Sequence, residues 1–155
     1  MPGIDREIAK HRIPTYPHIS PIKQKKRRLR PEWALLVKKE VEKQLKAKFL
    51  GVIEDTQWLE NVVPVLKKDG KVQICVDYRD LNKTCPKDDF SLPYIDTLVD
   101  STASSAMYSF MDIFSGYNHI MIAVINKLKT SFTIEWGIYY YTVMSFGLKN
   151  AGVTY

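Results

Sequence analysis

The stretch "NVVPVLKKDGKVQICVDY", residues 61–78, constrains the fold of this chain more than any other. Two runs rich in β-branched residues flank Lys68-Asp69-Gly70-Lys71. An Asp-Gly step in that setting predicts a tight turn, because glycine takes positive φ without steric cost. The stretch therefore predicts an antiparallel hairpin. A lone hairpin is marginal in water and needs a partner to cover its apolar face.

The chain supplies one. Ala34, Val37, Val41, Leu45 and Phe49 recur at spacings of 3, 4, 4 and 4, one apolar stripe among lysines and glutamates. Pro31 suits a first helical turn. These signals predict a helix over residues 31–48, with Gly51 as its stop. Residues 1–22 carry prolines 2, 14, 17 and 21 without periodicity and predict an extended, mobile lead-in. "RDLNK" predicts a short polar or helical turn, "CPKDDFSLP" a loop, and residues 94–102 a short helix. Ser105–Asp112 and "HIMIAVI" predict strands. "TSFTIEWGIYYYTVMSF" predicts a hairpin turning near Trp136-Gly137, with Tyr139 and Tyr141 on one face and Tyr140 on the other. "GLKNAGVTY" predicts the first turns of a helix. The fold class is α+β, an antiparallel sheet with packed helices.

Charge narrows the partners. Of 23 Lys and Arg residues, 14 lie in residues 1–50, against five acids there. The densest run is "KQKKRRLR", Lys23 to Arg30. It fits a solvated arm or a contact with a polyanion, whose phosphates attract such a run in a salt-dependent way. No apolar window reaches the length of a membrane-spanning helix, and the first residues lack the apolar core of a signal peptide. Cys75 and Cys85 lack metal-ligand spacing and are expected to be free thiols.

Chemistry-bearing candidates are few. Asp112 ends an apolar run, in "SFMDIFSGYNHI", residues 109–120. A carboxylate there must reach water, pair with a cation or hold a metal, since an unpaired buried charge costs several kcal/mol. The Lys67, Lys68 and Lys71 cluster fits either an anion grip or a soluble turn. Asp88-Asp89 reads as solvent-exposed. His11, His18 and His119 are too scattered for a metal cage or triad, and neither a Gly-x-Ser-x-Gly setting nor a Gly-rich phosphate loop occurs.

Taken together, "KKDGKVQICVDYRDLNK" (67–83), "SFMDIFSGYNHI" (109–120) and "SFGLKNAGVTY" (145–155) occur in an order and spacing that resemble the reverse transcriptase of gypsy-type LTR retrotransposons, especially those of plants. "KQKKRRLRPEW" (23–33) and "CPKDDFSLPYIDTLVD" (85–100) fit the same family, and the resemblance covers about residues 11–155. It implies a right-hand polymerase: lead-in 1–22, fingers and fingers–palm junction 23–104, and partial palm 105–155, truncated at the C-terminus. Asp112 resembles the first metal-binding aspartate, with the backbone carbonyl of Ile113 a further ligand. The complete enzyme uses two Mg²⁺ ions that activate the primer 3′-OH and steady the leaving pyrophosphate. Tyr117 resembles the aromatic steric gate under the incoming sugar. Lys67 or Lys68 resembles the fingers lysine that contacts the triphosphate. Phe146 and Gly147 match a "PFG" motif beside nucleotide and template. Asp77, Tyr78, Arg79 and Asn82 match the "VDYRDLN" block of the junction and templating-base pocket, with structural roles expected for most of them. Lys23, Lys25, Lys26, Arg27, Arg28 and Arg30 are the implied phosphate contacts.

Two departures from the family pattern stand out. Gln73 occupies the place of an arginine that pairs with the triphosphate, and an amide supplies neither its charge nor its fork. Ser145 replaces the proline of "MPFGL". The Y-x-D-D turn with the other two catalytic aspartates does not occur in residues 1–155. The resemblance thus implies a fragment of an RNA-directed DNA polymerase, inactive alone and of marginal stability because a cut sheet exposes an edge. Its implied partners are an RNA/DNA template-primer, dNTP and the remainder of the Pol polyprotein, with no membrane. The implied location is a cytoplasmic particle or the nucleus. The alternatives are a non-catalytic basic nucleic-acid-binding fragment and a degenerate retroelement reading frame.

Overall fold

A computed structural model describes residues 4–5, 7–68, 70, 72–89, 91, 94–109 and 116–155. Helix α1, Pro31–Lys46, starts with Pro31 in its first turn and Glu32 near its positive end, and closes with Lys43 and Lys46 near its negative end. Its stripe buries Ala34, Val37 and Val41, with Leu45 and Phe49 packed against the same core. The expected stop at Gly51 is corrected. Lys48 makes the left-handed turn at φ 62°, and the Phe49 N–H donates to Gln44 O at 3.0 Å. Gly51 instead lies in strand β2, Leu50–Ile53, opposite Tyr140. A Cβ there would lie 2.4 Å from the Tyr140 ring, so any larger residue would force that ring to move.

The hairpin forms as the Asp-Gly step predicts. β3, Glu60–Leu66, pairs antiparallel with β4, Val72–Val76. Gly70 sits at φ 77°, and its N–H donates to Lys67 O at 3.0 Å. Asp69 and Lys71 lie outside the described residues. α2, Arg79–Thr84, follows directly, and α3, Ile95–Thr102, buries none of its residues. The expected strand at Ser105–Asp112 is not present at residues 105–109, which are exposed, and its remainder lies outside the described residues. The "HIMIAVI" strand shrinks to β5, Met121–Ile122, and gives way to a 3₁₀ stretch, Val124–Thr130.

β6, Phe132–Ile134, and β7, Gly137–Tyr141, form the second hairpin. Tyr139 and Tyr141 face inward against Phe132, at ring separations of 5.9 and 5.6 Å. The main sheet has the order β2-β7-β6-β3-β4. It is mixed, because β3 and β6 pair in parallel, Glu60 opposite Phe132. The fully antiparallel expectation fails at that one junction, where two hairpins meet side by side. α1 lies on β4 and β2, and one core joins Val37, Val41, Trp58, Val62, Ile74, Phe132 and Tyr141. A short helix, α4, Ala151–Thr154, ends the chain.

Within the expected lead-in, residues 10–16 are tied to the rest of the chain by pairing and hydrogen bonds. Strand β1, Lys10–His11, pairs in parallel with β5. His11 and Ile13 are buried, and the Ile13 N–H donates to Asn126 Oδ1 at 3.2 Å. Lys129 Nζ donates to Ile13 O at 2.8 Å, and the Tyr16 N–H to Thr84 O at 2.9 Å. No described helix is long and apolar enough to cross a membrane.

Candidate functional site

Residues from three separate motifs converge on one groove of about 570 Å³. Lys67, at the turn of the β3–β4 hairpin, and Gln73, on β4, line it together with Asn118, Ser145 and Phe146. α1 adds Glu40 and Lys43, whose side chains pair at 3.5 Å. Lys68 is exposed at the same turn. Tyr117 stands in a 3₁₀ turn, Gly116–His119, its ring 4.7 Å from Phe146 and 5.1 Å from Tyr155. Of these rings Phe146 lines the groove, together with Phe49 and Tyr141, beside the exposed Lys67 ammonium, while Tyr117 stands behind Phe146. That combination suits a ligand with a flat ring and an anionic tail.

The loop that carries Phe146 is held from α2. Gly147 takes φ 93°, which favours glycine. Its carbonyl accepts from Asn82 Nδ2 at 2.7 Å, and Asn82 Oδ1 accepts the Lys149 N–H at 3.0 Å. Tyr78 is buried, and burial pushes its phenol well above its usual value, so it stays a donor. Its hydroxyl donates to Thr130 O at 3.3 Å and accepts from Ser145 Oγ at 3.1 Å. Ser145 thus has a packing role of its own where the family pattern has proline.

A second cleft, of about 460 Å³, opens beside the basic arm. Lys25, Arg27, Arg79 and Lys83 line it with Gln24, Asn61 and Asp80. Arg79 grips Asp77 through Nε and Nη2, both at 2.7 Å, and Arg27 Nη2 lies 3.4 Å from the same carboxylate. The Arg79 guanidinium, seconded by Arg27, holds Asp77 below the usual carboxylate range. Lys83, 3.0 Å away, does the same for Asp80. The rest of the arm diverges. Lys23 pairs with Asp55 at 2.9 Å, while Lys26, Arg28 and Arg30 are exposed along the arm. Sequence reasoning missed Gln24, Asn61 and Lys83. The visible signal was an uncharged amide inside a run of cations and an asparagine opening a β-branched strand.

Asp112 and Ile113 lie outside the described residues. Among the described residues no three His, Cys, Asp or Glu side chains gather to hold a metal ion. The Mg²⁺ expectation therefore rests on the sequence motif. Cys75 and Cys85 form no disulfide.

Comparison with known proteins follows the same lines. The family model for reverse transcriptase (RNA-dependent DNA polymerase) matches residues 65–155. Over 85 residues the chain is 35% identical to a putative enzymatic polyprotein of Cassava vein mosaic virus, covering 55% of this chain and 13% of that protein. Over 84 residues it is 34% identical to an RNA-directed DNA polymerase homolog of Oenothera berteroana, covering 54% and 59%. A transposon polyprotein of Schizosaccharomyces pombe is 30% identical over 104 residues, covering 65% and 8%. The chain thus spans less than two thirds of each of these relatives. A foamy viral protease-reverse transcriptase in complex with dsDNA superposes with a TM-score of 0.75 at 22% identity, covering 93% of this chain and 30% of that one. The native prototype foamy virus protein gives 0.73 at 23%, covering 92% and 19%. At that identity the likeness is one of fold: the mixed α+β fingers-and-palm architecture of reverse transcriptases.

Proposed function

The chain belongs to the reverse transcriptase (RNA-dependent DNA polymerase) family, and we propose that it forms the fingers and early palm of such a polymerase from a gypsy-type, plant-like retrotransposon. In this reading residues 1–22 are the lead-in, 23–104 the fingers and junction, and 105–155 the partial palm. The observation that carries the reading is the groove, where Lys67, Gln73 and Phe146 meet from motifs far apart in sequence.

The groove is the seat of the incoming dNTP. The Lys67 ammonium attracts the triphosphate, and Gln73 offers it a neutral hydrogen bond in place of a guanidinium. By the family resemblance Tyr117 is the proposed steric gate against a 2′-OH, and its packing on Phe146, 4.7 Å away, supports a place next to the groove. Asn82 holds the Phe146–Gly147 loop in place. The basic cleft takes the template-primer: Lys25, Arg27 and Arg79 contact phosphates, and Lys23, Lys26, Arg28 and Arg30 add long-range attraction. Asp112 and the Ile113 carbonyl are the proposed ligands of Mg²⁺, in a family that is generally metal-dependent. The Y-x-D-D motif of the two further catalytic aspartates does not occur in residues 1–155, and the small share of the polyprotein relatives that the chain covers supports phosphoryl transfer by a longer polyprotein.

The test is equilibrium binding of a primed RNA template to the purified chain, followed by an incorporation assay with dNTP and Mg²⁺. The expected result is salt-sensitive binding without incorporation. No affinity for the primed template at about 50 mM salt would overturn the polymerase reading, and measurable incorporation would overturn the assignment of chemistry to a longer chain.

A further inference from the structure

The basic cleft contains a feature that attraction between charges does not explain. Asn61 is 3% exposed, and its backbone N–H and both side-chain polar atoms are engaged with the arm. Its backbone N–H and its Nδ2 donate to Gln24 Oε1 at 3.1 and 3.0 Å. Nδ2 also donates to Lys25 O at 3.0 Å, and Oδ1 accepts the Arg27 N–H at 2.9 Å. The Asn61 carbonyl accepts the Asp77 N–H at 2.9 Å. On its other side, Gln24 Nε2 donates to Asp77 O at 3.2 Å and Asp80 Oδ2 at 3.0 Å. Gln24 accepts on one end and donates on the other, which an amide does without a change of protonation, whereas an ionised glutamate of the same length only accepts.

We propose that Gln24 and Asn61 form an amide clasp that positions Arg27 and Arg79 as a paired-guanidinium seat for a nucleic-acid backbone phosphate. The clasp fixes the backbone of the arm at Arg27 and the carboxylate of Asp77 in one frame. Asp77, its side chain 6% exposed, then holds both guanidiniums from beneath. Arg79 spends Nε and Nη2 on Asp77, which leaves it further N–H donors, and both Arg79 and Arg27 are exposed and line the cleft. A phosphate arriving there meets donors already oriented and restricts few further rotamers. A solvated arm would need attraction alone and would not bury an asparagine to set its register. Gln24 and Asn61 are positioning residues, since they touch the arm and not the phosphate.

The proposal rests on the nucleic-acid reading above, and one experiment separates the two. A fluorescein-labelled single-stranded DNA is titrated against the full chain at salt concentrations between about 50 and 200 mM. The variants are Gln24→Met, which keeps length and charge and removes both halves of the clasp, and the paired change Arg27→Gln with Arg79→Gln. Gln24→Met is expected to weaken binding about tenfold and to flatten the salt slope by about one, as loss of a phosphate contact does. A merely structural role would lower the melting temperature and leave that slope unchanged, which would overturn the proposal. If the paired arginine change weakens binding and Gln24→Met does not, the clasp fails and the nucleic-acid reading stands. If neither changes binding, the cleft is not the phosphate site and both fail. If Gln24→Met does not fold, Gln24→Glu takes its place. It keeps the acceptor side toward Asn61 and sets an anion against Asp80. Adding Asp80→Asn restores a donor and the net charge, and recovery of affinity is expected; failure to recover it would overturn the clasp.

Discussion

Glu60 gives the sharpest test of the packing described above. It opens β3 at the parallel junction with β6, its backbone N–H on Ser131 O at 2.9 Å. The residue is fully buried, and neither carboxyl oxygen has a hydrogen-bond partner. Burial, and then the Asp80 carboxylate nearby, pushes its pKa from an ordinary 4.5 to about 7. Between those values the native protein holds a proton that the unfolded chain has released. Stability is therefore greatest below 4.5, falls as pH rises toward 7, and is level above it. At about 1.4 kcal/mol per pH unit the full interval is worth about 3 kcal/mol, a large part of a domain's net stability. Glu60→Gln removes the titration and keeps the shape. Urea unfolding at pH 5, 6, 7 and 8, followed by tryptophan fluorescence, should show the parent losing about 2–3 kcal/mol across that range and the variant losing much less. His11 works in the opposite direction, because burial lowers its pKa and its contribution grows as pH rises toward 6.5. Asp77 and Asp80, held low, contribute evenly throughout this window and fade only in stronger acid. These effects are common to both proteins and cancel in the difference. Parallel pH profiles for parent and variant would refute the reasoning.

Two further outcomes follow from close approach and from charge. Gly51→Ala should cost about 1–3 kcal/mol in urea unfolding, because the new methyl meets the Tyr140 ring, which has to swing away. Gln73→Arg should tighten triphosphate binding about tenfold, measured by calorimetry, by placing a guanidinium in the groove beside Lys67. No gain in affinity would place the triphosphate elsewhere.

What the sequence made legible was what neighbouring residues decide. The Asp-Gly turn, the α1 stripe and the alternation of Tyr139, Tyr140 and Tyr141 are local patterns, and each formed as its pattern predicts. What stayed hidden was set by distant partners. Gly51 reads as a helix stop until Tyr140 is seen across the sheet from it. The strand expected through Ile125 ends early because Asn126 turns to bond Ile13, 113 residues away. The lead-in has no periodicity, and the groups that hold it, Asn126, Lys129 and Thr84, lie far along the chain. The site divides in the same way. Charge and motif spacing pointed to Lys67, Gln73, Phe146 and Arg79. The amide clasp of Gln24 and Asn61 carries no charge and no motif, so only the folded arrangement reveals it.

The most direct test of the central claim is a titration of the isotope-labelled chain with a deoxynucleoside triphosphate, followed residue by residue by NMR. Signals of Lys67, Gln73, Tyr117 and Phe146 should shift together along one binding curve, while those of Lys25 and Arg79 stay in place. Absence of shifts at these four residues, or shifts confined to the basic cleft, would contradict the account.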